Sequence, residues 1–136
     1  MKVRVCDDKK TLLDHFRIRG EVFIVEQQID WKEEFDDWDY DATHFVLYDG
    51  DTAIGAARLY KNKVGRVAVL KDHRMKNAGR LLMEAAEARA KSDGYDTVQL
   101  AAQTYIIPFY EKLGYTAYGE VFLDADIEHR AMKKTL

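Results

Sequence analysis

The sequence predicts an α/β fold in which a mixed, mostly antiparallel sheet is flanked by helices, giving a three-layer sandwich. Two observations support this prediction. Apolar residues alternate with a period of two through the middle of the chain, and tight turns separate these segments. A strand–helix–strand pattern then spans residues 64–102, as a crossover between parallel strands requires. The length of 136 residues fits a single domain covering residues 1–136.

The first third of the chain predicts one strand and one helix, followed by less regular segments. Residues 2–6 alternate as a strand does, and Asp8 can cap a helix. Residues 22–25 are an apolar run that fits either a helix or a strand. Residues 33–41 are acidic with aromatic side chains between the carboxylates, so we expect a surface loop or short helix there. The apolar face of the helix after Asp8 carries Leu12, Leu13, Phe16 and Gly20.

Hairpins and a crossover are predicted next. Asp49-Gly50-Asp51 is a good hairpin turn between residues 44–48 and 52–60, and a second turn leads to a strand at 64–70. After a basic stretch comes an amphipathic helix, and Gly94 suits its end. The buried face of that helix is predicted to hold Ala78, Leu81, Leu82, Ala85 and Ala86. The remaining elements are a strand at 97–102, a helix at 107–113 with Pro108 near its start, and strands at 116–120 and 128–134.

Composition and charge exclude several classes of protein. The net charge is −3, whereas nucleic-acid binders usually carry a basic excess. No apolar run approaches the ~20 residues of a membrane span, and the four histidines lack the spacing of a metal site. We therefore expect no nucleic-acid, membrane or metal partner. Cys6 has no second cysteine to pair with, which is typical of a reducing compartment and predicts a cytoplasmic protein. Its alternating surroundings indicate a small strand residue rather than a nucleophile.

The strongest chemical signal lies where the strand at 64–70 runs through a basic turn into the next helix. Backbone N–H groups at a helix start have no internal partner, and the helix dipole favours an anion there. The segment lacks the glycine patterns of nucleotide-binding loops. It predicts a cradle for a phosphate or pyrophosphate, although a solvated basic helix start without a ligand explains it equally well. Its residues are Val67, Ala68, Val69, Arg74, Met75, Lys76, Asn77, Ala78, Gly79 and Arg80.

Tyr110 is the second chemical candidate. It lies on the short helix after the strand at 97–102, where a side chain can project into a cleft at the edge of the sheet. A tyrosine hydroxyl, with an ordinary pKa of about 10, can donate a proton. A packed aromatic residue is the more common role of such a tyrosine, and the neighbouring sequence does not decide between the two.

Together, the two segments resemble the best-marked motifs of the GNAT N-acetyltransferase superfamily. Arg74-Met75-Lys76-Asn77-Ala78-Gly79 resembles the family's [Q/R]-x-x-G-x-[G/A] loop, and Phe109-Tyr110 through Gly114-Tyr115 matches its F-Y-x-x-x-G-[F/Y] motif. One helix and one strand separate the motifs, as in the family. Arg19 and residues 22–27 also resemble the N-terminal signature of a bacterial subgroup of small predicted acyltransferases. Further matches to that subgroup are His44, Ala102-Gln103, residues 122–127, His129 and Met132.

The resemblance implies acetyl-CoA as co-substrate, with its pyrophosphate on the loop and its pantetheine arm along residues 67–70. A backbone N–H near Val67 or Val69 would stabilise the oxyanion, and Tyr110 would protonate the leaving thiolate. The implied acceptor is a small-molecule or peptide amine. By the same resemblance, Glu26 is a candidate general base, with a structural carboxylate as the alternative. The candidate acceptor contacts are Arg19, His44, Gln103 and His129.

Asn77 departs from the family pattern, which usually has glycine at this position. Asparagine tolerates a positive φ better than most residues, so we expect the loop to form but to hold the cofactor less tightly. An acetyl-CoA sensor without transfer activity is therefore an alternative function. The segment 33–41 is expected to be a solvated loop whose aromatics pack inward, with a mouth for a cationic acceptor as the alternative. A homodimer through the closing strands is a further expectation that no single residue requires.

Overall fold

A computed structural model describes residues 1–74 and 77–136 of the chain. Among these residues, seven strands form one sheet, and none of the helices is long and apolar enough to cross a membrane. The strands are β1 Lys2–Val5, β2 Thr43–Asp49, β3 Thr52–Tyr60, β4 Lys63–Val69, β5 Thr97–Gln103, β6 Thr116–Asp124 and β7 Ile127–Thr135. The α-helices are α1 Lys9–Arg19, α2 Trp31–Glu34, α3 Ala78–Ser92 and α4 Ile107–Lys112. A π-helix spans Gly20–Glu26, and 3₁₀ turns span Asp37–Tyr40, Lys71–His73 and Thr104–Ile106.

The sheet has the strand order β1-β2-β3-β4-β5-β7-β6. Neighbouring strands are antiparallel except for β4 and β5, which are parallel and connected through α3. The turn predicted at residues 49–51 joins β2 to β3, and β6 continues to Asp124, beyond its predicted end at residue 120. The structure thus confirms the predicted mixed, mostly antiparallel sheet.

Helices cover both faces of this sheet, which gives the three predicted layers. Successive side chains of a strand point to opposite faces, so Val46 and Leu47 of β2 enter different cores. Leu47 packs in one core with Leu82 and Met83 of α3. Val46 packs in the other with Ile18 of α1. Each of these side chains is at most 1% exposed, and burying one contributes roughly 1.5–3 kcal/mol.

Helix α1 begins at the predicted cap, but its buried face differs from the predicted one. The Asp8 carboxylate accepts a hydrogen bond from the Thr11 N–H at 2.8 Å, and the Thr11 hydroxyl accepts one from the Asp8 N–H at 3.3 Å. The placement of Leu13 on the apolar face is wrong, because its side chain is 59% exposed. Three of the four buried positions of the helix are polar, at Thr11, His15 and Arg19, and the fourth is Ile18. The helix runs directly into the π-helix, so residues 22–25 are helical.

Cys6 follows β1 and has the small structural role predicted for it. Its side chain is half-buried, and the thiol lies 3.4 Å from the carbonyl oxygen of Thr11. Burial raises the pKa of the Cys6 thiol to about 12. Because only the thiolate is a strong nucleophile, this raised pKa disfavours a nucleophilic role for Cys6.

Candidate active site

A cavity of about 740 Å³ opens between β4 and β5 at the centre of the sheet. The two strands are paired only at Lys63 and Gln99, where the Gln99 N–H donates to the Asn62 carbonyl at 3.0 Å. Beyond this point they diverge, and the edge of β4 that faces β5 lines the cavity. A strand edge without a neighbour leaves N–H and C=O groups free to bind an extended ligand. The cavity size falls within the usual range of small-molecule sites.

A β-bulge interrupts β4 at the predicted oxyanion position. Ala68 is paired with Ala56 and Gly65 with Arg58, so Arg66 and Val67 together lie opposite the single residue between those two on β3. Arg66 has a φ of 51°, which is rare for a residue with a side chain. The bulge therefore breaks the regular ladder just where Val67 lines the cavity.

Farther along β4, Val69 presents its backbone to the open side. The Leu70 N–H donates to the Ile54 carbonyl on β3 at 2.9 Å. Because successive residues of a strand direct their N–H groups to opposite edges, the Val69 N–H points towards β5 and the cavity. The structure thus places the predicted residues Val67, Ala68 and Val69 on the cavity wall.

The start of α3 lies beside this open edge and is built as an anion site requires. Asn77 is the N-cap with φ 60° and ψ 15°, the left-handed conformation that the sequence led us to expect, and its side chain makes no capping bond. The first helical bond runs from the Leu81 N–H to the Asn77 carbonyl, so the N–H groups of Ala78, Gly79 and Arg80 lack an acceptor within the helix. The predicted contacts Met75 and Lys76 lie outside the described residues.

Gly79 is required by close packing at the start of α3. A Cβ atom at this position would lie 3.0 Å from Cζ of Phe109, well inside an ordinary carbon–carbon contact. The glycine therefore lets α4 and the helix start approach each other at the cavity wall, to which both residues contribute.

Arg74 binds Glu26 rather than standing free in the loop. Its two terminal nitrogens donate to the two carboxylate oxygens of Glu26 at 2.6 and 2.7 Å, and its Nε donates to the Val69 carbonyl at 2.9 Å. The bond to Arg74 lowers the pKa of Glu26, which makes this carboxylate a weaker proton acceptor. Glu26 is not among the cavity-lining residues. Its placement therefore favours the structural alternative over the general base.

Tyr110 lies on the cavity wall and is also closely packed, so both roles considered for it are compatible with its position. Its ring makes edge contacts with Phe109 and Tyr115, at centroid distances of 5.1 and 5.9 Å. Burial raises the pKa of Tyr110 above its ordinary value, so the hydroxyl is protonated at neutral pH. Within the described part of the chain, no hydrogen bond occupies this hydroxyl.

The four predicted acceptor contacts separate into two groups. Gln103 and His129 line the cavity, whereas Arg19 and His44 do not. The Gln103 amide donates to the Gln27 side chain at 2.9 Å, which links β5 to the end of the π-helix. One ring nitrogen of His129, Nδ1, is bonded to the Ile127 carbonyl at 2.7 Å. The structure keeps Gln103 and His129 as candidates and gives Arg19 and His44 a different environment.

Arg19 and His44 belong to a buried polar framework beside the acidic segment. Arg19 is 0% exposed and donates to the carboxylates of Glu34 and Asp39, each at 2.8 Å. His44 is bonded through Nε2 to the Asp39 carbonyl at 2.9 Å, and its ring packs on that of His15. Burial by itself would raise the pKa of Asp39, but the bonds and charges of Arg19 and of a second arginine, Arg58, hold it well below its ordinary value.

The same framework shows that the acidic segment is not simply solvated. Arg58 donates to Asp36 at 2.6 Å and to Asp39 at 2.9 Å, while Arg66 contacts Asp36 at 3.2 Å. The expectation that the aromatics pack inward holds for Phe35, which contacts Phe16, and is wrong for the others. Trp31 and Tyr40 are 61% and 88% exposed, and Trp38 is 40% exposed and stacks on Tyr60. Sequence reasoning missed the framework because its partners are far apart in the chain.

Comparisons with known proteins agree with this geometry. Residues 7–136 match the family described as acetyltransferase (GNAT) domain. The uncharacterized N-acetyltransferase YjcF of Bacillus subtilis is 39% identical over 139 residues, covering 98% of this chain and 99% of YjcF. The structure of an acyl-CoA N-acyltransferase from Pseudomonas aeruginosa is 27% identical with a TM-score of 0.86, covering 99% of this chain and 100% of that one. A candidate N-acetyltransferase from Lactobacillus plantarum, also 27% identical, has a TM-score of 0.91 over 99% of this chain and 97% of its own.

Proposed function

The chain belongs to the GNAT acetyltransferase family of acyltransferases, and we propose that it transfers an acetyl group from acetyl-CoA to a primary amine, with Tyr110 as general acid. Enzymes of this fold use acyl-CoA co-substrates and act on small-molecule or peptide amines. The acetyl group, the primary amine and the role of Tyr110 are the steps that go beyond family membership.

The observation that carries the proposal is the continuity between the free edge of β4 and the start of α3. The amides of a pantetheine arm can bind the free backbone groups along Val67–Val69, as an added strand would. The phosphates then reach the unpaired N–H groups of Ala78 and Gly79, where the helix dipole favours negative charge. Arg80 adds a positive charge there, because its side chain is half exposed and its contact with Glu84 is long, at 3.7 Å.

The chemistry requires an oxyanion donor and an acid, and both have candidates on the cavity wall. The amine nitrogen forms a bond to the thioester carbon, and the carbon–sulfur bond breaks. The N–H of Val67, at the bulge, is our candidate to stabilise the oxyanion between these events, and Val69 is the alternative. The Tyr110 hydroxyl gives its proton to the departing sulfur. The amine loses its proton to water in the open cavity, since Glu26 is bound to Arg74.

Gln103 and His129 are our candidates for contacts with the acceptor. Both line the cavity. The Gln103 side-chain nitrogen is bonded to Gln27, and His129 Nδ1 is bonded to Ile127. Among the described residues, the Gln103 side-chain oxygen and His129 Nε2 make no hydrogen bond within the protein and can contact a substrate. Apolar side chains share this part of the wall, including Phe23, Ile29 and Phe122. A cytoplasmic setting and a homodimer stay predictions from the sequence.

Replacing Tyr110 by phenylalanine tests the assignment of the acid. We expect turnover to fall roughly 10²-fold or more, the usual contribution of general acid catalysis, while the Kd for acetyl-CoA changes little. Turnover is measured as release of the CoA thiol against pooled amines, and binding by calorimetry. Unchanged turnover would remove Tyr110 from the acid role.

Tyr115→Phe is the matched control. Tyr115 is buried beside Tyr110, but its hydroxyl donates to Glu87 at 2.7 Å and it does not line the cavity. This variant should lose stability and keep turnover.

Acetyl-CoA at 100 times its Kd should also stabilise the wild-type protein by about 2.7 kcal/mol. Stabilisation without CoA release for any amine would favour the acetyl-CoA sensor instead.

A further inference from the structure

Arg66 holds an unfavourable backbone conformation inside a strand. Its φ of 51° lies in the left-handed region, which is sterically unfavourable for a residue with a side chain. It forms the bulge of β4 together with Val67, and neither residue has a paired partner on β3. An unfavourable conformation of this kind persists only where the surrounding contacts enforce it.

The side chain of Arg66 supplies such contacts. Its Nε donates to the Glu34 carbonyl at 3.0 Å and lies 3.3 Å from the carboxylate of the same residue. Its Nη2 donates to the Glu33 carbonyl and to the Asp36 carboxylate, both at 3.2 Å. A single guanidinium thus ties the bulge to three residues of the neighbouring segment.

That segment is itself firmly anchored. The Glu34 carboxylate accepts from Arg19 at 2.8 Å, and both side chains are at most 3% exposed. The Asp36 carboxylate accepts from Arg58 at 2.6 and 2.9 Å. Arg66 therefore connects the bulge to a rigid part of the protein, since buried arginine–carboxylate pairs allow little movement.

We propose that Arg66 is a positioning residue that sets the direction of the Val67 N–H towards the acyl carbonyl, by clamping the β4 bulge to residues 33–36. The proposal rests on the proposed acetyl transfer. A misplacement of about 1 Å in an active site can cost on the order of 10²-fold in rate, so loss of the clamp lowers the rate of the chemical step more than the binding of acetyl-CoA.

Arg66→Gly is the test variant, because glycine adopts the observed φ without strain while it removes the guanidinium. We expect kcat to fall at least 10-fold and the Kd for acetyl-CoA to change less than 3-fold. The carbonyl stretch of bound, ¹³C-labelled acetyl-CoA reports directly on the oxyanion contact. In the wild-type protein it should shift to lower wavenumber on binding, and in Arg66→Gly most of this shift should be lost.

Lys61→Gly is the matched control. Lys61 is also a cation with a positive φ, of 55°, but it lies in the exposed turn before β4 and does not line the cavity. This variant should keep the wild-type kcat and carbonyl shift. If Arg66→Gly does not fold, Arg66→Lys keeps the charge and the stem, cannot make the same set of bonds, and should show a smaller loss of the carbonyl shift.

Three outcomes would overturn the proposal. The first is a wild-type carbonyl shift in Arg66→Gly. The second is a raised KM for the amine at unchanged kcat, which would make Arg66 an acceptor contact. The third is an equal loss in Lys61→Gly. If the wild-type protein neither binds acetyl-CoA nor releases CoA, the proposed function fails before this comparison is made.

Discussion

Replacing Arg19 by methionine should cost the protein a large part of its stability. Methionine has a similar length and no charge, so the change removes the guanidinium and keeps most of the buried volume. In the native protein, Arg19 bonds both oxygens of Asp39 at 2.8 and 3.1 Å, the Glu34 carboxylate at 2.8 Å and the Glu34 carbonyl at 2.9 Å. Without it, Glu34 is a buried carboxylate whose remaining cation is Arg66 at 3.3 Å.

The expected loss follows from these contacts. Removing one partner of a buried ion pair costs about 3–5 kcal/mol when no other cation is near, and here Arg66 and Arg58 compensate Glu34 and Asp39 only in part. Domains of this size are stable by only about 5–15 kcal/mol, so the variant should be near the limit of folding. In urea, with a slope of about 1–3 kcal/mol per molar, the unfolding midpoint should fall by roughly 2 M.

Urea denaturation at neutral pH, followed by circular dichroism, measures this loss. Arg17→Met is the control, because Arg17 is 62% exposed and its contact with Asp14 is 3.7 Å long. It should change stability by less than about 0.5 kcal/mol.

A double variant separates the buried charge from lost packing. Arg19→Met combined with Glu34→Gln should be less destabilised than the sum of the two single changes, by at least ~1 kcal/mol, because position 34 then carries no buried charge that has lost its Arg19 partner. A loss below about 1 kcal/mol in Arg19→Met, or simple additivity in the double variant, would refute the reasoning.

Two further predictions concern the loop and the pH dependence of stability. In Asn77→Gly, acetyl-CoA should bind a few-fold more tightly by calorimetry, since the Asn77 side chain makes no capping bond and glycine adopts φ 60° without strain; an unchanged Kd would contradict this. Burial lowers the pKa of His15 to about 3, from an ordinary 6.5, and the nearby Arg19 and His44 act in the same direction. As the pH falls below 6.5, His15 therefore takes up a proton in the unfolded chain before it does so in the folded protein. The contribution of neutral His15 to the free energy of unfolding is complete above pH 6.5 and is lost as the pH falls towards 3. In His15→Asn, the slope of the unfolding free energy against pH, measured by urea denaturation, should fall by up to about 1.4 kcal/mol per pH unit in this range. An unaltered slope would argue against a buried, neutral His15.

The splayed strands explain how a short chain forms a cavity at the centre of its sheet. Most of the sheet is a continuous antiparallel ladder, which gives a rigid frame. The single parallel junction, paired only at Lys63 and Gln99, opens the sheet without breaking either core. The free N–H and C=O groups of β4 can then bind a ligand. Their positions depend on the backbone path of β4 more than on the identity of its side chains.

Local patterns in the sequence were enough to predict most of the helices and strands. The alternation of apolar and polar residues in the strands, the Asp8 cap and the helix after the basic turn all depend on residues close together in the chain. These features are therefore visible in the sequence. The left-handed Asn77 and the position of Tyr110 on the cavity wall also agree with their motifs. The face of α1 was misplaced because Leu13 fits an apolar periodicity, while three of the four buried residues of the helix are polar.

The tertiary structure alone decided which polar residues meet. Arg19, Arg58 and Arg66 converge on three carboxylates that lie 15 to 32 positions away in the chain, and no local pattern encodes such pairs. The same is true of the bond between Arg74 and Glu26, which favours the structural alternative for Glu26. Periodicity records which side of an element is apolar, whereas a contact between distant charges exists only once the sheet has brought their elements together. The motifs in the sequence were therefore sufficient to identify the family, whereas the contacts between Arg66 and residues 33–36 follow only from the fold.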